Sequence, residues 1–183
     1  LVSFNGKSYD WPLLRTRYVM NRIVPPVLPA HLDLLHCSRR VFKHQLSATK
    51  LTNIETEILD YHRVGDIPGA QIPQRYFDYI KSGDGTLLEP IVRHNQDDIV
   101  AMAAIVGVLH QVVEHPLSST DARIQLAVAQ LQVQAEDCPA ALEFVEAIYQ
   151  SENSSSWKFE ALVLGATVLK RRREYEASEI FLQ

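Results

Sequence analysis

The chain opens on Leu1-Val2-Ser3-Phe4, an apolar and β-prone run that reads as the end of a buried strand. Asn5-Gly6 reads as the turn leaving it. Pro12 stands where a first helical turn tolerates it, and Leu13 to Ile23 continues with helical spacing. The stretch 24–29, VPPVLP, is a stiff extended connector. HLDLLH (31–36) alternates briefly, as a short strand would, and SRRVFKHQL (38–46) then returns to helical spacing. In LTNIETEIL (51–59), Thr52 and Glu55 have the spacing of a capping box. GDIPGAQIP (65–73) predicts an irregular loop. A helix follows over 74–83, QRYFDYIKSG, and a long, largely buried one over 94–115.

Near His115-Pro116 the pattern changes, and from Asp121 onward every period is helical. Residues 126–146 align with 162–182 at a shift of about 36, placing Ala129 on Gly165, Ala141 on Ala177 and Glu143 on Glu179. Small residues at such sites let paired helices approach closely, and the period is near that of a tetratricopeptide array. An ordinary helical hairpin explains the same pattern. Strands alternating with helices over 1–115, then helices alone over 116–183, predict an α/β domain joined to an all-α extension.

At 46% hydrophobic and 22% charged residues, the composition is that of a soluble globular protein and excludes a disordered chain. The longest apolar run, IVAMAAIVGVL, falls short of the eighteen or so residues of a membrane span, so no membrane partner is expected. Cys37 and Cys138 lack nearby cysteine partners, which argues for a reducing, cytoplasmic setting and against structural zinc. The net charge of −4 is uneven. Residues 1–50 hold eight Lys/Arg against two acids, and residues 51–183 hold ten against twenty. A basic first segment suits a polyanion, while the plainer reading is ordinary surface decoration.

Two places carry candidate chemistry. Asp10 lies just beyond the expected strand, where open α/β sheets keep their sites, although an Asp before Pro12 also reads as a helix cap. In His94-Asn-Gln-Asp-Asp98-Ile, His94 and Asp98 share one helix face, one turn apart. A carboxylate introducing so apolar a helix needs a partner to offset desolvation, or else the favourable field of the helix N-terminus. Paired carboxylates with a nearby His suit phosphoryl chemistry on hard divalent cations, which take oxygen ligands. Such a site needs three or four acids, of which two are visible. His31, Asp33 and His36 look like a ligand set but would not share one strand face, and read as structural, with Asp33 the nearest to a site. Tyr76, Phe77 and Tyr79 have the helical spacing of core residues.

The motifs Asn5-Gly-Lys-Ser-Tyr9-Asp10 and HNQDDI (94–99) resemble the second and third motifs of DEDD-type 3′–5′ exonucleases. FNGKSYDWPLLRTR, HLDLLHCSRR, LTNIE, Arg-x2-DIPG and HNQDDI together resemble, in order and spacing, the YprB-like ribonuclease H-like domain family. A tetratricopeptide-like tail also fits that family. The resemblance implies Asp10 and Asp98 as metal ligands, and His94 in the place of the residue that orients or deprotonates the attacking water. It implies Asn5 and Tyr9 as supports of the site and substrate end. The basic cluster Arg15, Arg17 and Arg22 lies just after the second motif, a place that suits either a polyanionic strand or plain helix solubilisation. The implied cofactor is Mg²⁺ or Mn²⁺ in a two-metal site.

There are two departures. His94 stands four residues before Asp98, the spacing of the subgroup with Tyr at this place, whereas the His-type subgroup uses five. The family's first motif, Asp-x-Glu, occurs nowhere in the sequence. The expectation is therefore a partial ribonuclease H-like fold whose opening strands are missing, weak or inactive by itself. Its implied activity is metal-dependent hydrolysis of phosphodiesters from a single-stranded 3′ end, with the helical tail free to meet a protein partner. The alternative is a non-catalytic module that binds protein or nucleic acid on the same scaffold.

Overall fold

The computed structural model describes residues 1–28, 30–115, 121–151 and 156–180, and these divide into two units. One comprises residues 1–35 and 48–106, the other residues 36–47 and 107–183.

In the first unit, β1 (Val2–Ser3) and β2 (Leu32–Asp33) pair in parallel, with Val2 opposite Leu32 and Ser3 opposite Asp33. Parallel neighbours need a crossover between them, and α1 (Asp10–Met20) supplies it. The expected strand, turn and helix are all present. Asn5 takes the left-handed backbone, φ 66°, which asparagine tolerates better than most residues. Its carbonyl accepts the N–H groups of Ser8 and Tyr9, and the Gly6 carbonyl accepts that of Trp11 at 2.8 Å, winding the chain into α1. The residue before the helix is Tyr9, so Asp10 is not the cap that its place before Pro12 suggested. It lies in the first turn, where the aligned peptide dipoles favour a carboxylate.

Helix α2 (Leu34–Phe42) follows β2 directly, beginning at Leu34 rather than Ser38. His36 is therefore helical, and the face argument that assumed a strand through it does not apply. Helix α3 (Leu51–Glu57) starts from Lys50, not from a capping box: Thr52 is already inside the helix, and Glu55 is engaged elsewhere. A 3-10 turn at Gly69–Gln71 leads into α4 (Ile72–Ser82), with Pro73 in its first turn and Gly83 ending it in the left-handed conformation at φ 73°. A second such turn, Gly85–Leu88, is capped by the Asp84 carboxylate accepting the Thr86 N–H, and it introduces α5 (Glu89–Glu114).

The long helix differs from expectation. Ala101, Ile105 and Val112 form one buried stripe, while Val92, Ile99, Val100 and Val113 are more than half exposed. That outer face has no cover among the described residues. As a helix, Gly85–Glu114 is long and apolar enough to cross a membrane by length and composition, which the uninterrupted apolar run alone did not indicate. Tyr76 and Phe77 are also exposed rather than core, their rings meeting edge to face at 6.2 Å. Elsewhere in this unit Leu34, Leu35, Ile54 and Ile67 are buried.

The second unit is helical, with α6 (Ala122–Gln134), α7 (Cys138–Gln150), α8 (Lys158–Arg171) and α9 (Tyr175–Ile180) each packing on the next. Asp121 and Asp137 cap α6 and α7 through their carboxylates. Ala122, Leu126, Val145, Ile148 and Ala161 form a core, with Trp157 and Leu164 against it. Ala129, Ala141 and Gly165 are buried, as close helix approach requires, while Ala177 is only half-buried. The final residues of the second repeat copy, 181–183, lie outside the described residues. Cys37 and Cys138 are free thiols.

Candidate active site

A cleft of about 640 Å³ opens beside the end of β1 in the first unit, with Phe4, Asp10, Trp11, Lys50, His94 and Asp98 among its lining residues. Asp10 comes to it from the first turn of α1, and His94 and Asp98 come from one face of α5. The three residues named from the sequence as catalytic or metal-binding thus meet in one place. Gly6 makes the approach possible, because a Cβ there would overlap the Ser3 side chain and come within 3.2 Å of Asp10 Oδ2.

Behind the cleft lies an ionic network centred on Arg63. Its guanidinium is almost fully buried and forks onto the buried Glu55, donating from Nε to Oε2 at 2.7 Å and from Nη2 to Oε1. Nη2 also donates to Asp98 Oδ1 at 2.6 Å, and Nη1 to Asp66 Oδ2 at 3.1 Å. Its hydrogen bonds to Glu55 above all, opposed by desolvation and reinforced by Asp98 and Asp66, make this guanidinium still harder to deprotonate than usual. With one Asp98 oxygen taken by Arg63, the other, Oδ2, stands 3.7 Å from His94 Nε2.

His94 Nδ1 lies 2.8 and 3.0 Å from the two Asp66 oxygens. Burial raises the Asp66 carboxyl, but the hydrogen bonds from His94 and Arg63 outweigh it and hold the group below the usual carboxylate range. The Ile67 N–H donates to the same carboxylate at 2.8 Å.

The remaining residues named for substrate do not line the cleft. Asn5 serves the turn through its backbone, Tyr9 is exposed at the start of α1, and Arg15 and Arg17 are exposed farther along that helix. His31 lines the cleft, its Nε2 pairing with Ser3 Oγ at 2.8 Å, while buried Asp33 accepts backbone N–H groups. Arg63 and Asp66 went without a role in the sequence reading, which gave Glu55 only a capping place. The signal available was a carboxylate within the apolar LTNIETEIL, with an arginine eight residues on to answer it.

Asp10 and Asp98 offer the oxygen donors that a hard divalent cation prefers. Among the described residues no group of three or more His, Cys, Asp or Glu converges to hold a metal ion, so these two would supply only part of a coordination shell.

A family model of the RNase H superfamily matches residues 1–110. The uncharacterized protein YprB of Bacillus subtilis (strain 168) is 38% identical over 107 residues, which are 57% of this chain and 26% of that protein. The chain therefore spans about a quarter of the length of this relative. No solved structure matches it.

Proposed function

The chain belongs to the RNase H superfamily, whose members generally hydrolyse nucleic acids, and on that premise we propose that it contributes to a metal-dependent 3′–5′ exonuclease. The observation that carries this reading is the meeting of Asp10, His94 and Asp98 in one cleft, from positions far apart in the chain.

In this reading Asp10 and Asp98 are ligands to Mg²⁺ or Mn²⁺, joined by further carboxylates beyond those that the described residues gather here. The bound ion supplies charge stabilisation for the phosphoryl group in transfer. His94 accepts the proton of a water that attacks the terminal phosphorus in line. As the new P–O bond forms, the bond to the 3′ oxygen breaks, and a nucleotide leaves the shortened strand. An imidazole suits this exchange because its ordinary pKa lies near neutrality. Lys50 adds a positive charge at the cleft for the substrate backbone. The helical second unit is the part suited to a protein partner.

The test is cleavage of 3′-labelled single-stranded DNA and RNA by the full-length protein with Mg²⁺ or Mn²⁺, beside Asp10→Asn and Asp98→Asn. Loss of nucleotide release in both variants is expected. If either variant degrades substrate as fast as the parent, that carboxylate is not a ligand. Binding without cleavage by the parent would favour a non-catalytic module on the same scaffold.

A further inference from the structure

The exonuclease reading gives His94 a task but does not say which of its ring nitrogens performs it. A neutral imidazole carries its proton on one nitrogen and a lone pair on the other, and only the lone pair can accept a proton from water. A helical histidine one turn before a carboxylate has no intrinsic reason to choose.

The choice is made by Asp66. His94 Nδ1 sits against both oxygens of that carboxylate, at 2.8 and 3.0 Å, an arrangement satisfied by a donating N–H and opposed by a lone pair. Asp66 is itself held in place. Arg63 Nη1 donates to its Oδ2, the Ile67 N–H donates to its Oδ1, and Arg63 is in turn locked onto buried Glu55. Arg63 Nη1 also approaches His94 Nδ1, at 3.3 Å. That contact, and Asp98 Oδ2 at 3.7 Å from Nε2, both favour the opposite tautomer, but the Asp66 carboxylate is closer and presents two acceptors to Nδ1. Nε2 then carries the lone pair on the side of Asp98, in the cleft.

We propose that Asp66 is a positioning residue of this site, fixing His94 with its proton on Nδ1 so that Nε2 serves the reacting water. This rests on the exonuclease reading for the meaning of Nε2, but not for the tautomer itself. A second carboxylate behind a functional histidine is a recurrent device for setting ring orientation and basicity.

Two-bond ¹H–¹⁵N correlation spectra of the full chain, at a pH where the ring is neutral, read the tautomer directly. The parent should show His94 protonated at Nδ1. Asp66→Ala should shift the ring toward a mixture of both tautomers, while Asp66→Asn, which keeps one acceptor oxygen, should retain most of the Nδ1–H form. On a 3′-labelled oligonucleotide, Asp66→Ala should lower kcat about tenfold to a hundredfold with KM little changed. A parent ring protonated at Nε2 overturns the proposal without any variant, and so does an unchanged ring spectrum in folded Asp66→Ala. If the parent ring behaves as expected but no nucleic acid is cleaved, the exonuclease reading fails and the positioning role stands.

Discussion

Asp33 accepts the backbone N–H of Asn5 at 2.8 Å, across 28 residues of chain, and that of Lys7 at 2.9 Å. A single carboxylate at the end of β2 therefore pins the turn that leaves β1 and delivers Asp10 to the cleft. Asp33→Ala would leave those N–H groups without their acceptor. Hydrogen bonds to a charged group are worth about 1.5–3 kcal/mol each, so a loss of roughly 3 kcal/mol is expected. Urea unfolding measures it; a loss under 1 kcal/mol would mean that the turn holds itself.

Gly6→Ala tests the same turn by sterics. The added methyl meets the Ser3 side chain and crowds Asp10. A cost of about 1–3 kcal/mol is expected, typical of overpacking at a tight site, together with reduced cleavage. Ser3→Gly in the Gly6→Ala background should recover part of both. Thermal unfolding and the labelled-strand assay read the two effects separately.

Glu55 and Arg63 form a buried pair, and removing Glu55 takes away the main partner of a buried guanidinium that then keeps only Asp98 and Asp66. Glu55→Ala should destabilise by about 3–5 kcal/mol. Replacing both, in Glu55→Met/Arg63→Met, should recover only part of that loss, because well-packed apolar groups commonly match a buried ion pair but Asp66 and Asp98 then lose their guanidinium donor. If the double variant is no more stable than Glu55→Ala in denaturant unfolding, the network contributes more than charge compensation.

In the helical unit, Asp121 gives a pH dependence. Hydrogen bonds from the Arg123 side chain foremost, opposed by desolvation, with Gln45 and the Arg123 N–H assisting, pull its carboxyl from 3.8 to about 2. The folded value is the depressed one, so the stabilisation is complete above about pH 4 and disappears as pH falls toward 2. It should amount to about 2 kcal/mol at neutral pH. Asp121→Asn should remove that part of the acid sensitivity, which a Tm series between pH 6 and pH 2.5 would reveal.

How much of this was legible in the sequence differs by residue. Asp10, His94 and Asp98 stand in short motifs whose chemistry is local, and the structure brings them to one cleft. The β1–α1–β2 order was legible because Asn5-Gly6 and Pro12 punctuate the chain at its real boundaries. Glu55 was misread because Thr52-x-x-Glu55 has a local explanation, while its actual partner lies beyond the end of α3. Asp66 and Arg63 sit in a Gly- and Pro-rich loop, where no period reports which way a side chain turns. Asp10 also read as a cap because position before proline does not distinguish the cap from the first helical residue. The α5 core was overstated because apolar content says how oily a helix is, not how much of it is covered.

His94 and Asp98 are carried one turn apart on a continuous 26-residue helix, so α5 acts as a ruler between them. Their spacing is set by helical pitch and no loop motion can retune it. The other dimension of the cleft is the distance from that ruler to Asp10, which the β1 turn sets. One edge of the cleft is thus fixed by helix geometry, while the opposite carboxylate depends on a separate turn, so the two edges answer to different parts of the sequence.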